Sequence, residues 1–176
     1  TEEFYKFYKE KMNSLKYEPN IAHLKLAELE KKGKLKAVIT QNIDGLHQKA
    51  GSQNVLELHG SVLRNYCMKC GKFYNAEFVF TSKEVPRCSC GGVIKPDVVL
   101  YEEALNDEIL NKSISAIRNA DLMIVAGTSL TVYPASGLIN FYNGSKLVLI
   151  NRENTQYDRK ANLVINESLG KIFKEI

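Results

Sequence analysis

Short apolar runs that end in small polar residues dominate the hydrophobic pattern of this chain. They occupy residues 35–39, 121–126, 146–150 and 163–165. Helical or loop segments separate them, which is typical of a parallel sheet covered on both faces and predicts an α/β fold. Because the carboxyl ends of parallel strands meet at one edge, the polar residues that follow should gather there and form a ligand site.

Helical periodicity and end signals predict the remaining elements. The predicted helices are 2–17, a second one from Pro19-Asn20 to Gly33, 44–50, 106–120 and a last one from Ser168. Residues 55–58 and 98–101 are predicted to be extended. The segment 62–95 is predicted to contain short alternating strands, such as 73–80.

The length, charge and apolar runs of the chain limit the classes of protein to which it can belong. The 176 residues suffice for one sizeable core, or for a main domain with a small module attached. The net charge of +4, from 24 basic and 20 acidic residues, is spread along the chain and argues against a nucleic-acid groove. No apolar run approaches the ~20 residues of a membrane span, and no secretory signal pattern occurs at the start. We therefore expect a cytoplasmic protein that binds neither nucleic acid nor membrane.

Four cysteines predict a structural zinc site. Cys67 and Cys70 form a C-x2-C pair and Cys88 and Cys90 a C-x-C pair, and the separation of the pairs suits a four-cysteine zinc ribbon. Four thiolates in tetrahedral geometry make a closed, structural site. The alternatives are disulfides, which need an oxidising compartment, or unrelated buried thiols.

A polar cluster follows the first apolar run. Thr40-Gln41-Asn42 supplies hydrogen-bonding groups, Asp44 begins a short helix, and His59 lies a few residues beyond. Histidine is the side chain best suited to move a proton near neutral pH, so the cluster predicts a ligand site with a general base. The alternative is a polar loop with a hydrogen-bonded histidine.

These segments resemble the signature of the sirtuins, the NAD-dependent protein deacylases. The resemblance rests on residues 40–51 (TQNIDGLHQKAG) and 58–61 (LHGS), the four cysteines, and residues 95–99, 127–134 and 149–153. It covers nearly the whole chain. It implies a Rossmann-like NAD-binding domain of residues 34–61 and 96–176, without its N-terminal first strand. The helical module 1–33 and the zinc ribbon 62–95 would form a small domain.

The resemblance also implies roles for individual residues. His59 is the expected general base for a ribose hydroxyl, and Asn42 the second catalytic residue. The implied NAD-binding residues are Gln41, Asn42, Ile43, Asp44, Gly127, Thr128, Ser129, Asn151, Arg152 and Glu153. The implied substrate residues are Val99, Leu100, Tyr101, Glu102, Val132 and Tyr133, with the Val99 carbonyl accepting the acyl-lysine N–H. His47 and His23 are expected to be structural.

The reaction implied is removal of acetyl from lysine of a protein or peptide, which gives nicotinamide and 2′-O-acetyl-ADP-ribose. Tyr5 and Tyr8 stand where some members carry a Tyr-x-x-Arg pair for acidic acyl groups, so an uncharged acyl group is expected. The alternatives are mono-ADP-ribosyl transfer and a catalytically weak acetyl-lysine-binding fragment. A dehydrogenase is rejected because no Gly-x-Gly-x-x-Gly turn occurs.

Three features depart from the family pattern. The Gly-Ala-Gly-x-Ser loop and the first strand are absent, and the chain starts at Thr1 without Met, so we expect a truncated or incompletely recorded chain. A polypeptide that began at Thr1 should bind NAD weakly and expose a strand edge. The second cysteine pair is C-x-C where C-x2-C is usual. A Phe-Gly-Glu turn reads Tyr101-Glu102-Glu103, and the carboxylate of Glu102 should favour basic residues beside the acyl-lysine.

Overall fold

The computed structural model describes residues 1–176 and contains three small sheets with helices between their strands. The strands are β1 (Val38–Thr40), β2 (Val55–Glu57), β3 (Gly60–Cys67), β4 (Phe73–Asn75), β5 (Ile94–Val98), β6 (Met123–Ala126), β7 (Leu147–Ile150) and β8 (Leu163–Ile165). The α-helices are α1 (Glu2–Lys11), α2 (Ile21–Lys31), α3 (Leu46–Lys49), α4 (Ala76–Thr81), α5 (Asp107–Arg118) and α6 (Leu169–Ile172), with 3₁₀ helices at Ala135–Phe141 and Asp158–Lys160. None of the helices combines the length and apolar character that a membrane crossing requires.

Five strands are parallel, and they form two sheets rather than the single sheet expected. β1 pairs with β2, and β6, β7 and β8 form a second sheet in that order. The apolar runs are confirmed as parallel strands, but β1 and β6 share no hydrogen-bond ladder. β6 therefore has an open edge, and its Ile124 is 43 % exposed.

Helix α5 packs across both parallel sheets. It begins at Asp107 because the Asn106 side chain accepts the N–H of Ile109 and caps the helix. Its buried Ile117 packs with Leu58 and Leu138, in a cluster that Ile39 of β1 and Met123 of β6 also join. This shared core holds the two sheets in a fixed relation although no ladder connects them.

The antiparallel sheet β4-β3-β5 carries the cysteine pairs and packs against α1. Its core includes Val79 and Ile94, which are completely buried. The Tyr5 hydroxyl of α1 donates to the Ile94 carbonyl, and the Tyr8 ring stacks on Phe80. α2 instead packs Ala22 against Ile150 and Phe173. The two helices predicted as one module thus contact different parts of the molecule.

Two predicted elements end or change where polar side chains bond the backbone. α1 was predicted to reach residue 17 but ends at Lys11, since the Asn13 side chain accepts the Leu15 N–H and the buried Ser14 hydroxyl donates to the Asp44 carbonyl. Only the first part of the predicted strand 73–80 is extended in the structure, as β4. Asn75 then accepts the Phe78 N–H and begins α4.

Candidate active site

The polar ends of the parallel strands come together at one edge of the fold. The Gln41 amide after β1 donates to the Thr128 hydroxyl after β6 at 3.4 Å, which links the two parallel sheets. The Gly127 N–H donates to the Ile150 carbonyl, and the Asn151 N–H to the Ile165 carbonyl. The predicted gathering of strand ends at one edge is therefore present, even though the strands belong to two sheets.

The segment after β1 is a folded polar turn with one free side chain. The Asn42 N–H donates to the Thr40 hydroxyl at 3.0 Å, while the exposed Asn42 amide has no partner within the chain. The Asp44 carboxylate accepts the Leu46 N–H at 2.9 Å and so stabilises the start of α3. The Ile43 side chain packs against the core of the antiparallel sheet. This turn is thus fixed at both ends and leaves an amide available to a ligand.

The ring of His59 is oriented by a backbone carbonyl. His59 follows β2 and is half-buried, and its Nδ1 lies 3.0 Å from the carbonyl oxygen of Gln41. Because a carbonyl oxygen can only accept a hydrogen bond, the proton of the neutral ring is on Nδ1 and Nε2 keeps its lone pair. His59 can therefore take up a proton at Nε2.

The turn after β6 presents hydroxyl and backbone groups. Gly127 adopts a left-handed conformation, with φ of +64°, and is exposed. The Thr128 hydroxyl accepts the Leu130 N–H, and the Ser129 and Thr131 hydroxyls lie 2.7 Å apart. Such a turn offers small donors without a bulky side chain over them, which suits phosphate or ribose.

The turn after β7 is held from two sides. The Asn151 amide donates to the Glu153 carbonyl at 3.0 Å, and the Asn166 amide after β8 donates to the Asn151 carbonyl. Arg152 and Glu153 are exposed, and neither side chain has a hydrogen-bond partner within the chain. Both are available to a ligand that lies along the strand ends.

The predicted substrate residues lie in two exposed loops. Tyr101 is fully exposed, and Tyr133 and Val132 are 81 % and 56 % exposed. The Val99 N–H donates to the His59 carbonyl at 3.0 Å, so the first loop begins beside the candidate base. Glu102 has a φ of +70°, a strained conformation for a residue with a Cβ.

The two remaining histidines contact each other away from His59. The His23 and His47 rings lie 4.6 Å apart, and His23 Nδ1 accepts the Asn20 N–H. Burial lowers the pKa of both rings, and the Asp44 charge opposes this shift. The two rings pack against each other between α2 and α3, which fits the structural role predicted for them.

The four cysteine sulfurs form one cluster, as predicted from their spacing. All four lie within 4.8 Å of one another, and the sulfurs are 3.5 Å apart for Cys67–Cys90 and Cys70–Cys90 and 3.6 Å apart for Cys70–Cys88. A tetrahedral zinc with Zn–S bonds of 2.3 Å requires sulfurs roughly 3.8 Å apart, so the cluster fits one ion. None of the cysteines forms a disulfide.

Charge within the cluster also indicates a cation. A hydrogen bond from the Cys90 backbone lowers the pKa of Cys88 to about 5. The Lys72 backbone lowers the pKa of Cys70, but the neighbouring cysteine sulfurs raise it more, to about 12. Zinc binds the thiolate form of cysteine, so the lowered pKa of Cys88 suits a metal ligand.

Sequence reasoning missed two ion pairs between the strands that lead to His59 and Val99. Arg64 contacts both Glu57 and Asp97, at 2.7 and 2.8 Å. These residues form no local motif, since they lie on three different strands. In the sequence, the one indication of these ion pairs is Glu57, a charged residue at the end of a short apolar strand.

Comparison with known proteins identifies the family. Residues 1–134 match the model of the Sir2 family. The chain is 60 % identical over 174 residues to an NAD-dependent protein deacetylase of Clostridium tetani, covering 98 % of this chain and 70 % of that protein. It is 59 % identical over 177 residues to an NAD-dependent protein deacetylase of Clostridium perfringens, covering 99 % and 72 %.

Solved structures agree with the sequence comparison. A Sir2 crystal structure in complex with the inhibitor EX-527, 2′-O-acetyl-ADP-ribose and deacetylated p53 peptide has a TM-score of 0.91 and 45 % identity, covering 98 % of this chain and 77 % of that one. A structure described as Sir2–p53 peptide–NAD⁺ has a TM-score of 0.90 and 44 % identity, covering 98 % and 75 %. With a family model over most of its length and relatives at this identity, the chain belongs to the Sir2 family.

Proposed function

We propose that this chain is an NAD-dependent protein lysine deacetylase. It removes acetyl, or another uncharged acyl group, and yields nicotinamide and 2′-O-acetyl-ADP-ribose. The observation that carries this proposal is His59, whose ring is held by the Gln41 carbonyl with Nε2 free, beside the joined strand ends. The Clostridium deacetylases, which are 60 % and 59 % identical to this chain, support the proposal.

NAD would lie along the carboxyl ends of the parallel strands. When bound, it would supply the electrophilic ribose carbon, which the acyl oxygen would attack as the bond to nicotinamide breaks. The free Asn42 amide, the open Gly127 turn and the unpaired Arg152 side chain fit a ligand with ribose and phosphate groups. The proposed NAD contacts are Gln41, Asn42, Ile43, Asp44, Gly127, Thr128, Ser129, Asn151, Arg152 and Glu153.

His59 acts as the base in this proposal. Its Nε2 lone pair accepts the proton of a ribose hydroxyl, while the Nδ1 hydrogen bond to Gln41 stabilises the charged ring that results. Asn42 orients the ribose and the water near it. A ring fixed in one tautomer needs no rearrangement before proton transfer, which lowers the cost of reaching the transition state.

The acyl-lysine peptide would add as a strand between the two exposed loops. The Val99 carbonyl accepts no hydrogen bond within the chain and can take the lysine N–H. Backbone groups of residues 100–102 and 131–133 would pair with the peptide on either side, an arrangement that tolerates many sequences. Tyr5 and Tyr8 are buried in the core of the antiparallel sheet and not in an exposed loop, so the preference for an uncharged acyl group stays a prediction from the sequence.

Two further assignments accompany this function. Cys67, Cys70, Cys88 and Cys90 would hold a structural zinc. Residues 1–33 and 62–95 would form a small domain, although α2 also packs on β7 and α6, and residues 34–61 and 96–176 would form the NAD-binding domain. A cytoplasmic location fits four clustered cysteines that are suited to metal binding.

Mass spectrometry of an acetyl-lysine peptide incubated with NAD tests the function. We expect loss of acetyl from the peptide and appearance of an acetylated ADP-ribose. The reaction should require NAD and should be lost in His59→Ala. Gain of ADP-ribose on the peptide would instead identify a mono-ADP-ribosyltransferase. Binding of the peptide without any change in mass would identify an acetyl-lysine-binding protein.

A further inference from the structure

One arginine connects three strands around the candidate base. Arg64 of β3 donates through Nη1 to Glu57 Oε2 at 2.7 Å and through Nε to Asp97 Oδ2 at 2.8 Å. The second oxygen of Glu57 accepts the Gln48 amide at 2.8 Å. The Glu57 side chain is only 9 % exposed, so loss of these partners would leave a buried carboxylate unpaired.

Glu57 and Asp97 flank the point at which the candidate base His59 is hydrogen-bonded to the start of the substrate loop. Glu57 ends β2, two residues before His59, and Asp97 lies in β5, two residues before Val99. The backbones of His59 and Val99 are themselves joined by a hydrogen bond of 3.0 Å. Arg64 therefore forms a second, side-chain connection that runs parallel to this backbone bond.

The position of Arg64 depends on an irregularity in β3. Ser61 is opposite Asp97 and Asn65 is opposite Pro96, so residues 62–64 have no register partner on β5. At the start of this bulge the Val62 N–H donates to the Ile43 carbonyl at 3.0 Å. The bulge thus contacts the proposed nicotinamide-binding turn at one end and carries Arg64 at the other.

We propose that Arg64 is a positioning residue that fixes the substrate strand at Val99 relative to His59 and to the Ile43 turn. This inference rests on the proposed function. Arg64 does not touch the reacting atoms in this account. It acts through Glu57 and Asp97, by preventing β5 from sliding along the bulged part of β3.

An arginine is required because two carboxylates on different strands must be held at once. The planar guanidinium presents Nε and Nη1 in fixed directions, one toward each carboxylate. A lysine has one nitrogen at the end of a flexible chain and cannot reproduce this geometry. Burial lowers the pKa of Arg64, but the hydrogen bonds and charges of Asp97 and Glu57 raise it more, so the charge persists.

Steady-state kinetics of Arg64→Gln and Arg64→Lys test the positioning role. For Arg64→Gln we expect kcat/KM for the acetylated peptide to fall about tenfold, with most of the change in the KM for peptide and little in the KM for NAD. Arg64→Lys should rescue only part of the loss. The matched control is Arg118→Gln, which also removes one positive charge. Arg118 of α5 lies over the Phe141 ring and forms no salt bridge with the three strands.

A double variant separates positioning from folding. Arg64→Gln leaves the buried Glu57 carboxylate without its cation, so the protein is destabilised; adding Glu57→Gln removes that charge and should restore most of the melting temperature. The peptide KM should stay raised in the double variant. A peptide KM that returns to the wild-type value together with stability would overturn the inference.

Hydrogen exchange gives a readout that does not need activity. The Val99 amide, bonded to the His59 carbonyl, should exchange about tenfold faster in Arg64→Gln than in wild type or Arg118→Gln, after correction for global stability. Unchanged exchange at Val99 would overturn the positioning role. If the wild type does not deacetylate but Val99 exchange responds as expected, the proposed function fails while the positioning role stands.

Discussion

Adding one methyl group at Gly60 should push the substrate strand β5 away from the candidate base His59. Gly60 follows His59 directly and has a φ of +74°. A Cβ at this position would overlap the Asp97 carbonyl oxygen, and it would lie 2.9 Å from the Asp97 carbonyl carbon and 3.2 Å from the Val98 Cα. Since carbon atoms pack at about 3.5–4.0 Å, Gly60→Ala must move β5 by roughly 1 Å.

The matched control is Gly33→Ala, because it carries the same backbone strain without the clash. Gly33 has a φ of +71°, and an added Cβ would meet nothing within 4 Å. Both variants should lose about 1–2 kcal/mol from the left-handed conformation. For a chain of this size that corresponds to a melting temperature lower by about 2–4 °C per kcal/mol.

The two variants should differ in catalysis. A displacement of roughly 1 Å at Val98 and Val99 should lower kcat/KM for an acetyl-lysine peptide about 100-fold in Gly60→Ala, while Gly33→Ala stays near wild type. Peptide titration kinetics at saturating NAD, together with thermal unfolding, measure both quantities. The reasoning is refuted if Gly60→Ala keeps kcat/KM within about threefold of Gly33→Ala.

Three further predictions concern charge and metal. Burial lowers the pKa of His23 and His47 below the ordinary 6.5. Below that pH the unfolded chain therefore binds more protons than the folded one, and stability should be full above it and fall with decreasing pH. Urea unfolding at several pH values should show a weaker dependence for His47→Gln; an equal dependence would contradict the assignment. Chelation of zinc should lower the melting temperature and be mimicked by Cys88→Ser, whereas a metal-free wild type of unchanged stability would contradict a structural zinc. Glu102→Gly should stabilise the protein by about 1 kcal/mol, because glycine adopts the positive φ of this position without strain. It should also reduce a preference for lysine-flanked over glutamate-flanked peptides. An unchanged preference would contradict the role assigned to the Glu102 carboxylate.

Local signals in the sequence were sufficient to predict most of the elements. The apolar runs before Gln41 and Gly127 become β1 and β6, because parallel strands in such folds carry apolar side chains on both faces, although Ile124 of β6 is exposed. The cysteine spacing likewise predicted the cluster, since a glycine-containing turn brings each pair together. These features depend on neighbouring residues, so they can be read from the chain without knowing the fold.

The features that were missed depend on contacts between distant segments. α1 ends at Lys11 in part because Ser14 bonds to the Asp44 carbonyl, which lies 30 residues away. The predicted parallel strands form two sheets, β1-β2 and β6-β7-β8. The hydrophobic pattern shows that a segment is a buried strand, but it does not show which other strand it pairs with. The Arg64 contacts with Glu57 and Asp97 join three strands, and nothing local distinguishes these residues from surface charges.

His59→Asn tests the central claim most directly. The asparagine amide can still donate to the Gln41 carbonyl, so the variant should fold, but it has no imidazole Nε2 to accept a proton. We expect deacetylation of an acetyl-lysine peptide to slow by about 10²–10⁴-fold with an unchanged melting temperature. If His59→Asn deacetylates the peptide as fast as the wild type, His59 is not the base and the account of this site is wrong.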